Sequence, residues 1–317
     1  MSAATQKLAV VGFGGNALLR PEDRGTHEEQ VARAKQAARW LAEIVRHDYK
    51  MIVVHGNGPQ VGNILVQAEE ASTKIPPQTL DVAVAQTEGS MGFMLQQALR
   101  NRLEAIGRPG EVATVLTEVE VDPNDVAFKR PTKPIGPFFT RYRAEALERD
   151  YGWTMREDSG RGWRKVVPSP KPLAILNLKT ISHMLEVAEI VIAAGGGGIP
   201  VVRGRDGQWR GVEAVIDKDF ASAVLASSLK ADLYIVLTGV PQVSIQFGKP
   251  EQRSIDRMTV DEAQRYLDAG EFPAGSMGPK VEAAIQFVRA SGKPVLITDV
   301  DSLREGLEGK AGTTIER

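Results

Sequence analysis

The stretch Leu8-Ala-Val-Val-Gly-Phe-Gly-Gly-Asn16 decides the fold. It begins as a short apolar run rich in β-branched side chains and passes directly into Gly14-Gly15-Asn16. Such a run reads as a strand buried on both faces, ending in a loop whose backbone can approach a ligand. The same order recurs where Met51–Val54 leads into His55-Gly56-Asn57-Gly58-Pro59, and where Ile190–Ala194 leads into Gly195–Gly198. Val112–Leu116, Leu233–Leu237 and Val295–Ile297 read as further strands. Between strands lie helical patterns. Val31, Ala34, Ala38, Leu41 and Val45 are spaced 3, 4, 3, 4 and form one apolar face, and Ala221–Leu229 and Glu282–Ser291 also read as helices. Strand, glycine loop, helix, strand predicts an α/β protein with a parallel sheet covered on both sides. Ligands of such sheets sit beyond the carboxyl ends of the strands, where the three glycine loops fall.

Residues 129–172 interrupt this order. They carry Pro131, Pro134, Pro137, Pro168, Pro170 and Pro172, together with Trp153 and Trp163. Eleven Lys or Arg stand against five Asp or Glu, a local charge of about +6 beside about −7 for the remainder. The segment reads as a lid or protruding subdomain, or else as a solvated basic excursion or subunit contact. Its charge alone would suit RNA, but no aromatic-and-glycine motif accompanies it.

The bulk composition excludes several classes. The chain has 317 residues, 42% apolar and 25% charged, with a net charge of −1, which supports neither a nucleic-acid nor a membrane partner for the whole molecule. There is no cysteine, so disulfides, thiolate zinc sites and cysteine nucleophiles are ruled out and a reducing cytosol is suitable. No run approaches the roughly 20 apolar residues of a membrane span. The first residues lead straight into a strand, which reads as no signal peptide and a cytoplasmic protein.

A second stretch carries the chemistry: Asp217-Lys218-Asp219, within Gly211–Ala221 and shortly after Gly195–Gly198. An acidic, basic, acidic triplet entering a helix of small residues suits a site that holds polyanions. Glycine loops let backbone N–H groups approach phosphate, and a lysine neutralises charge passed between two anions. The alternative is a surface turn in which Asp219 only caps the helix beginning at Phe220. Lys280 adds to the first reading, because it stands between Pro279 and the apolar helix Val281–Ile285. An ammonium at a helix N-terminus opposes the dipole unless an anion sits there.

Other phosphate scaffolds do not fit. Gly12-Phe-Gly-Gly-Asn-Ala17 has the GxGxxA form, but Arg20–Gly25 intervenes before any helix and the second strand ends in His55-Gly56 without an acidic residue. Gly275-Ser-Met-Gly-Pro-Lys280 lacks the spacing and the hydroxyl residue of a P-loop. His55 reads more readily as a hydrogen-bonded strand-end histidine than as a catalytic one. His27, His47 and His183 show no metal-ligand spacing, so no metal is assigned to protein side chains.

Seven blocks together resemble the carbamate kinase branch of the amino acid kinase family. They are Gly14–Leu18, His55–Gly62, Pro131–Phe138, Gly160–Pro170, Gly195–Pro200, Gly211–Ala221 and Gly275–Lys280, in the family's order and across nearly the whole chain. The resemblance implies an open α/β/α sandwich with a mainly parallel central sheet, and a protruding lid subdomain at 129–172. It implies an N-terminal lobe, 1–210, for carbamate or carbamoyl phosphate and a C-terminal lobe, 211–317, for the nucleotide. The implied activity is reversible, Mg2+-dependent phosphoryl transfer between ATP and carbamate, giving ADP and carbamoyl phosphate. A homodimer, and use in ATP synthesis during nitrogen-compound catabolism, come with it.

Residue by residue, the resemblance makes Lys133, Lys218 and Lys280 the active-site lysines and Asp219 the aspartate that orients them. Gly14, Gly15, Asn16, Gly56, Asn57 and Gly58 match the anion-binding loops, with Gly196 and Gly197 beside them. Nucleotide contacts are expected at Asp217, Thr238, Gly239, Val243, Met277, Gly278 and Lys280. Many other members carry a lysine in the first strand where this chain has Gly12, so a lysine from elsewhere must replace it. Phe13, and Pro241 near the expected nucleotide, also depart from the usual pattern. Two rivals remain: a kinase of the same family with another small anionic acceptor, and a nucleotide- or carbamoyl-phosphate-binding subunit without catalysis.

Overall fold

The computed structural model describes residues 6–14, 23–158, 160–273 and 275–317. All six expected strands are present, with ends displaced by at most two residues. They are β1 (Lys7–Phe13), β2 (Tyr49–His55), β3 (Glu111–Thr114), β4 (Ala188–Ile192), β5 (Leu233–Leu237) and β7 (Val295–Thr298). Two short strands without an apolar run of their own, β6 (Arg257–Thr259) and β8 (Thr313–Glu316), complete an eight-stranded sheet in the order β6-β8-β7-β5-β1-β2-β4-β3. Every neighbouring pair is parallel except β7 with β8. Because β1 pairs with β2 on one side and β5 on the other, one continuous sheet runs through both halves of the chain.

Side-chain alternation along these strands makes the layers. Ala9, Val11, Phe13, Met51 and Val53 face one way, against α1 (His27–Arg46) and α3 (Leu80–Ala105). Val10, Ile52, Val54, Tyr234 and Val236 face the other, against α4 (Lys218–Ser228) and α5 (Met277–Ser291). This is the expected α/β/α sandwich. Each fully buried Val or Leu in such a core contributes about 1.5–3 kcal/mol. α1 starts where Thr26 accepts from Glu29 N–H at 3.3 Å and Glu29 Oε2 accepts from Thr26 N–H at 3.0 Å. Losing such a capping box costs about 1 kcal/mol. Its expected stripe is buried at Ala34, Ala38, Leu41 and Val45.

The 129–172 insertion folds around a core of its own. Lys133–Phe139 pairs antiparallel with Trp163–Val167, which pairs with Met155–Glu157, and the helix Arg141–Tyr151 covers them. Ala144, Leu147 and Met155 are buried there with Phe139, Trp153 and Trp163 around them. Part of the basic excess is paired outside the insertion, while Lys129, Arg130, Arg141, Arg149, Arg156 and Arg161 remain exposed. Lys133, Arg143 and Lys171 pair with Asp217, Glu69 and Glu282, all outside the insertion, at 2.8, 3.1 and 2.8 Å. Backbone packing fastens the insertion as well. A Cβ at Gly62 in α2 (Gly58–Ala71) would fall 1.9 Å from Gly136 Cα, so only a glycine lets the helix meet the strand Lys133–Phe139.

Candidate functional site

β1, β2, β4, β5 and β7 run parallel, so the loops at their carboxyl ends open on one edge of the sheet. A cavity of about 480 Å³ lies there. Its wall includes Gly14 after β1, Gly56–Pro59 after β2, Gly196 after β4, Thr238 and Gly239 after β5, and Val300 after β7. The insertion contributes Lys133, Pro134 and Arg164, while Ile216–Asp219 and Lys280 come from the starts of α4 and α5.

The cap that the surface-turn alternative places at Asp219 is made two residues earlier. Asp217 is the N-cap of α4, its Oδ1 accepting from Asp219 N–H at 2.9 Å, and its Oδ2 accepts from Lys133 Nζ at 2.8 Å. Asp219 therefore sits in the first turn with its carboxylate directed to two ammoniums. Lys218 Nζ donates to Oδ1 at 2.5 Å and Lys280 Nζ donates to Oδ2 at 2.9 Å. Tyr234 OH donates to the Asp219 carbonyl at 2.9 Å, tying this turn to β5. The anion anticipated near the start of α5 is thus Asp219 itself.

Burial works against all four charges. At Asp219 and Asp217 it is outweighed by neighbouring ammoniums, Lys218 and Lys280 for the first and Lys133 and Lys218 for the second, which hold both carboxyls below the usual range. Burial lowers Lys218, with Asp219 opposing it. At Lys280 burial is overcome by the Asp219 charge, and its pKa is raised. Lys218 and Asp219 are 9% and 3% exposed and the Lys280 side chain is 17% exposed, so two ammoniums share one buried carboxylate with little water around it. That leaves a local excess of positive charge whose desolvation an incoming oxyanion relieves.

Gly12 explains part of the geometry. A Cβ there would lie 3.3 Å from Ser222 Oγ and 3.5 Å from Asp219 Oδ1, so the bare position lets the first turn of α4 settle against β1. The ammonium that lies against Asp219 from that turn is Lys218.

The glycine run 195–198 differs from expectation. Only Gly196 reaches the cavity wall. The space a Cβ would need is taken by His55 Nε2 at Gly195 (2.4 Å), the Asn57 amide at Gly196 (2.1 Å), the Ile216 carbonyl at Gly197 (2.5 Å) and Val119 at Gly198 (2.2 Å). Gly197 and Gly198 N–H groups bond back to the Ala194 and Gly195 carbonyls and do not present themselves to phosphate. These glycines let the loops carrying Asn57 and Asp217 close on one another.

Of the other expected residues, Gly14, Gly56, Asn57, Gly58, Lys133, Asp217, Lys218, Asp219, Thr238, Gly239 and Lys280 line the cavity. Gly15 and Asn16 lie outside the described residues. Val243 lies outside the cavity wall. It is fully buried in a short strand, and its N–H donates to Thr313 Oγ1 at 2.8 Å. Met277 and Gly278 open α5, where Gly278 N–H bonds to the Pro273 carbonyl at 3.0 Å, and they lie outside the cavity wall. Arg164, Trp40 and Val300 line the cavity without having been singled out. Arg164 lay inside a matching block, but Trp40 falls off the apolar stripe of α1 and Val300 lies just past a strand, so neither carried a signal.

The chain belongs to the amino acid kinase family, whose pattern it matches over residues 7–299. A carbamate kinase of Thermococcus kodakarensis is 46% identical over 314 residues, covering 98% of this chain and 99% of that one. Carbamate kinase 1 of Enterococcus faecium is 49% identical over 300 residues, 94% of each chain. A carbamate kinase from Giardia lamblia bound to AMP-PNP is 40% identical with a TM-score of 0.90, over 98% of this chain and 99% of that one.

Proposed function

We propose that the protein is a carbamate kinase, transferring a phosphoryl group reversibly between ATP and carbamate. The observation that carries this reading is Asp219 holding one buried and one partly buried ammonium in a cavity walled by strand-end loops. Full-length similarity to carbamate kinases, one of them bound to a nucleotide analogue, supports the choice of substrates.

Carbamate is already an anion and needs no base to become a nucleophile. The obstacle is repulsion between it and the phosphoryl group, roughly 4 kcal/mol for unit charges about 4 Å apart at an effective dielectric near 20. Converging ammoniums offset that repulsion, and loop backbone fixes an in-line approach. In this reading Lys218 bridges the transferring group and Lys280 meets the nucleotide phosphates. Lys133 serves the carbamoyl side, and Asp219 orients Lys218 and Lys280. Gly14, Gly56, Asn57, Gly58 and Gly196 border the transferring phosphate, and Thr238 and Gly239 the nucleotide. Residues 1–210 then hold carbamoyl phosphate and 211–317 the nucleotide, with 129–172 as the lid.

Mg2+ enters with the nucleotide. Asp217 and Asp219 are already paired with ammoniums, and no group of three His, Asp or Glu side chains able to hold a metal occurs among the described residues. No step is therefore assigned to a protein-held ion. No helix among the described residues is long and apolar enough to cross a membrane. A cytoplasmic homodimer used for ATP synthesis accompanies the proposal, and light scattering checks the assembly.

The test is ATP formation from ADP and carbamoyl phosphate, with and without Mg2+. Turnover supports the proposal. Turnover only with another acyl phosphate points to a different acceptor, and nucleotide binding without turnover points to a binding subunit.

A further inference from the structure

Six charged side chains line the cavity among the described residues: Lys133, Lys218, Lys280 and Arg164, with Asp217 and Asp219. The ammonium–carboxylate pairs described above account for five of them, and Arg164 stands apart. It lies on the insertion strand Trp163–Val167, which pairs with Lys133–Phe139, and its side chain is 14% exposed. Nε donates to the Gly136 carbonyl at 3.1 Å and Nη1 donates to Asp158 Oδ2 at 3.3 Å. Because Gly136 is where the insertion touches Gly62, the guanidinium is anchored at the junction with α2. The Phe138 ring centroid lies 5.2 Å from its central carbon. Nη2 has no hydrogen-bond partner among the described residues.

Asp158 also serves a second guanidinium. Arg161 Nη2 donates to its Oδ1 at 3.1 Å, and Arg161 lies over the same Phe138 ring at 4.9 Å. The Arg161 side chain is 57% exposed and outside the cavity wall, so water compensates its charge. Arg164 has little water and only a share of one carboxylate. Burial lowers its pKa, with Asp158 opposing. A cation in that position is left with a desolvation cost that an oxyanion relieves. The ratio of two cations to one carboxylate repeats that of Lys218 and Lys280 on Asp219. A guanidinium also suits the place better than an ammonium. Its planar fork holds Gly136 through Nε and keeps terminal N–H groups for a second acceptor.

We propose that Arg164 binds the acyl phosphate directly, its terminal N–H groups donating to a phosphoryl oxygen while Gly136, Asp158 and Phe138 hold the guanidinium in place. The inference rests on the function proposed above and adds a fourth cation to that site.

Phosphonoacetamide tests it without turnover, since a CH2 group replaces the bridging oxygen of carbamoyl phosphate. Calorimetric titration of the full chain should show about tenfold weaker binding of this probe in Arg164→Met, with ADP binding within about twofold of wild type. Arg164→Lys keeps a cation but loses the fork, and should stay at least about threefold weaker. Arg161→Met should remain within about twofold. The same ratios are expected in KM for carbamoyl phosphate. Equal loss of probe and ADP in Arg164→Met overturns the inference, because it marks a residue that only braces the insertion. A loss in Arg161→Met as large as in Arg164→Met overturns it too, as an effect of overall charge. Should Arg164→Met not fold, Arg164→Lys decides, and wild-type affinity for the probe in that variant counts against direct binding. An active protein whose probe affinity and KM survive in Arg164→Met refutes the inference and leaves the proposed function standing. A protein without turnover that loses the probe in Arg164→Met supports the inference and refutes the reaction.

Discussion

Lys218 and Lys133 reach the same cavity by opposite means. Lys218 rides on a helix packed against the central sheet and is 9% exposed, in an extended core that includes Val10, Val236 and Ile297. Lys133 rides on a small unit whose buried core is Ala144, Leu147 and Met155, and its side chain is 22% exposed. Burial sets the first ammonium in place, and ion pairs reaching out of the insertion set the second. A buried cation carries a large desolvation cost and is little screened, whereas a pair near the surface weakens with salt. The molecule thus combines a buried charged floor with a more exposed cationic arm, each ammonium paired with a carboxylate.

The comparison can be broken most directly at Lys218. Lys218→Ala should lower turnover by roughly 10³-fold or more, as removal of a cationic group does in other phosphoryl transfers. A loss below tenfold with folding intact would remove Lys218 from the role given to it. Next in size is Gly196→Ala. The new methyl would fall 2.1 Å from the Asn57 amide at a positive φ of 68°, and the resulting displacement should cost about 10²-fold in kcat/KM. Wild-type rates would show that the two loops can part without consequence.

Lys133→Ala sharpens the contrast between floor and arm. It should reduce kcat roughly ten- to hundredfold while ADP affinity stays within about twofold. Collapse of ADP binding instead would reverse the division between the lysines.

Stability against pH probes the buried side. Below about pH 6.5 the unfolded chain takes up a proton at His55 that burial keeps off the folded ring down to about pH 4, while burial favours a proton on Glu88 in the folded chain. The two effects oppose one another, so together they add little slope there. In Glu88→Gln the unfolded state alone binds the His55 proton, so stability should fall as pH drops from about 6.5 to about 4, by up to about 1.4 kcal/mol per unit. Urea midpoints of wild type and variant across this range check it, and parallel curves would refute a protonated Glu88 in the folded chain. The smallest effect is expected from Arg143→Ala, on the insertion side. Arg143 is 43% exposed where it meets Glu69, so the loss should be about 1 kcal/mol or less and should shrink further in high salt.

The strands were legible because short, apolar, β-branched runs between glycine loops have few other ways to bury themselves. The glycines at 195–198 were visible, but their purpose was not. Each makes room for a group distant in sequence, and nothing local names His55, Asn57, Ile216 or Val119 as the occupant. Val243 looked like a site residue by position and is core, because its short strand turns inward to meet Thr313. The insertion's charge was plain in the composition, while its neutralising partners lie far along the chain at Glu69, Asp217 and Glu282.

Hydrophobic periodicity, glycine placement and the triplet at 217–219 were enough by themselves to determine a wound sheet with an anion site at its strand ends, since these signals are local and repeat along the chain. Which lysine meets which carboxylate was decided only in three dimensions. Lys280 reaches Asp219 across 61 residues and Lys133 reaches Asp217 across 84, and such pairings follow from how helices and insertion dock on the sheet. Charge has no direction along a sequence; packing gives it one.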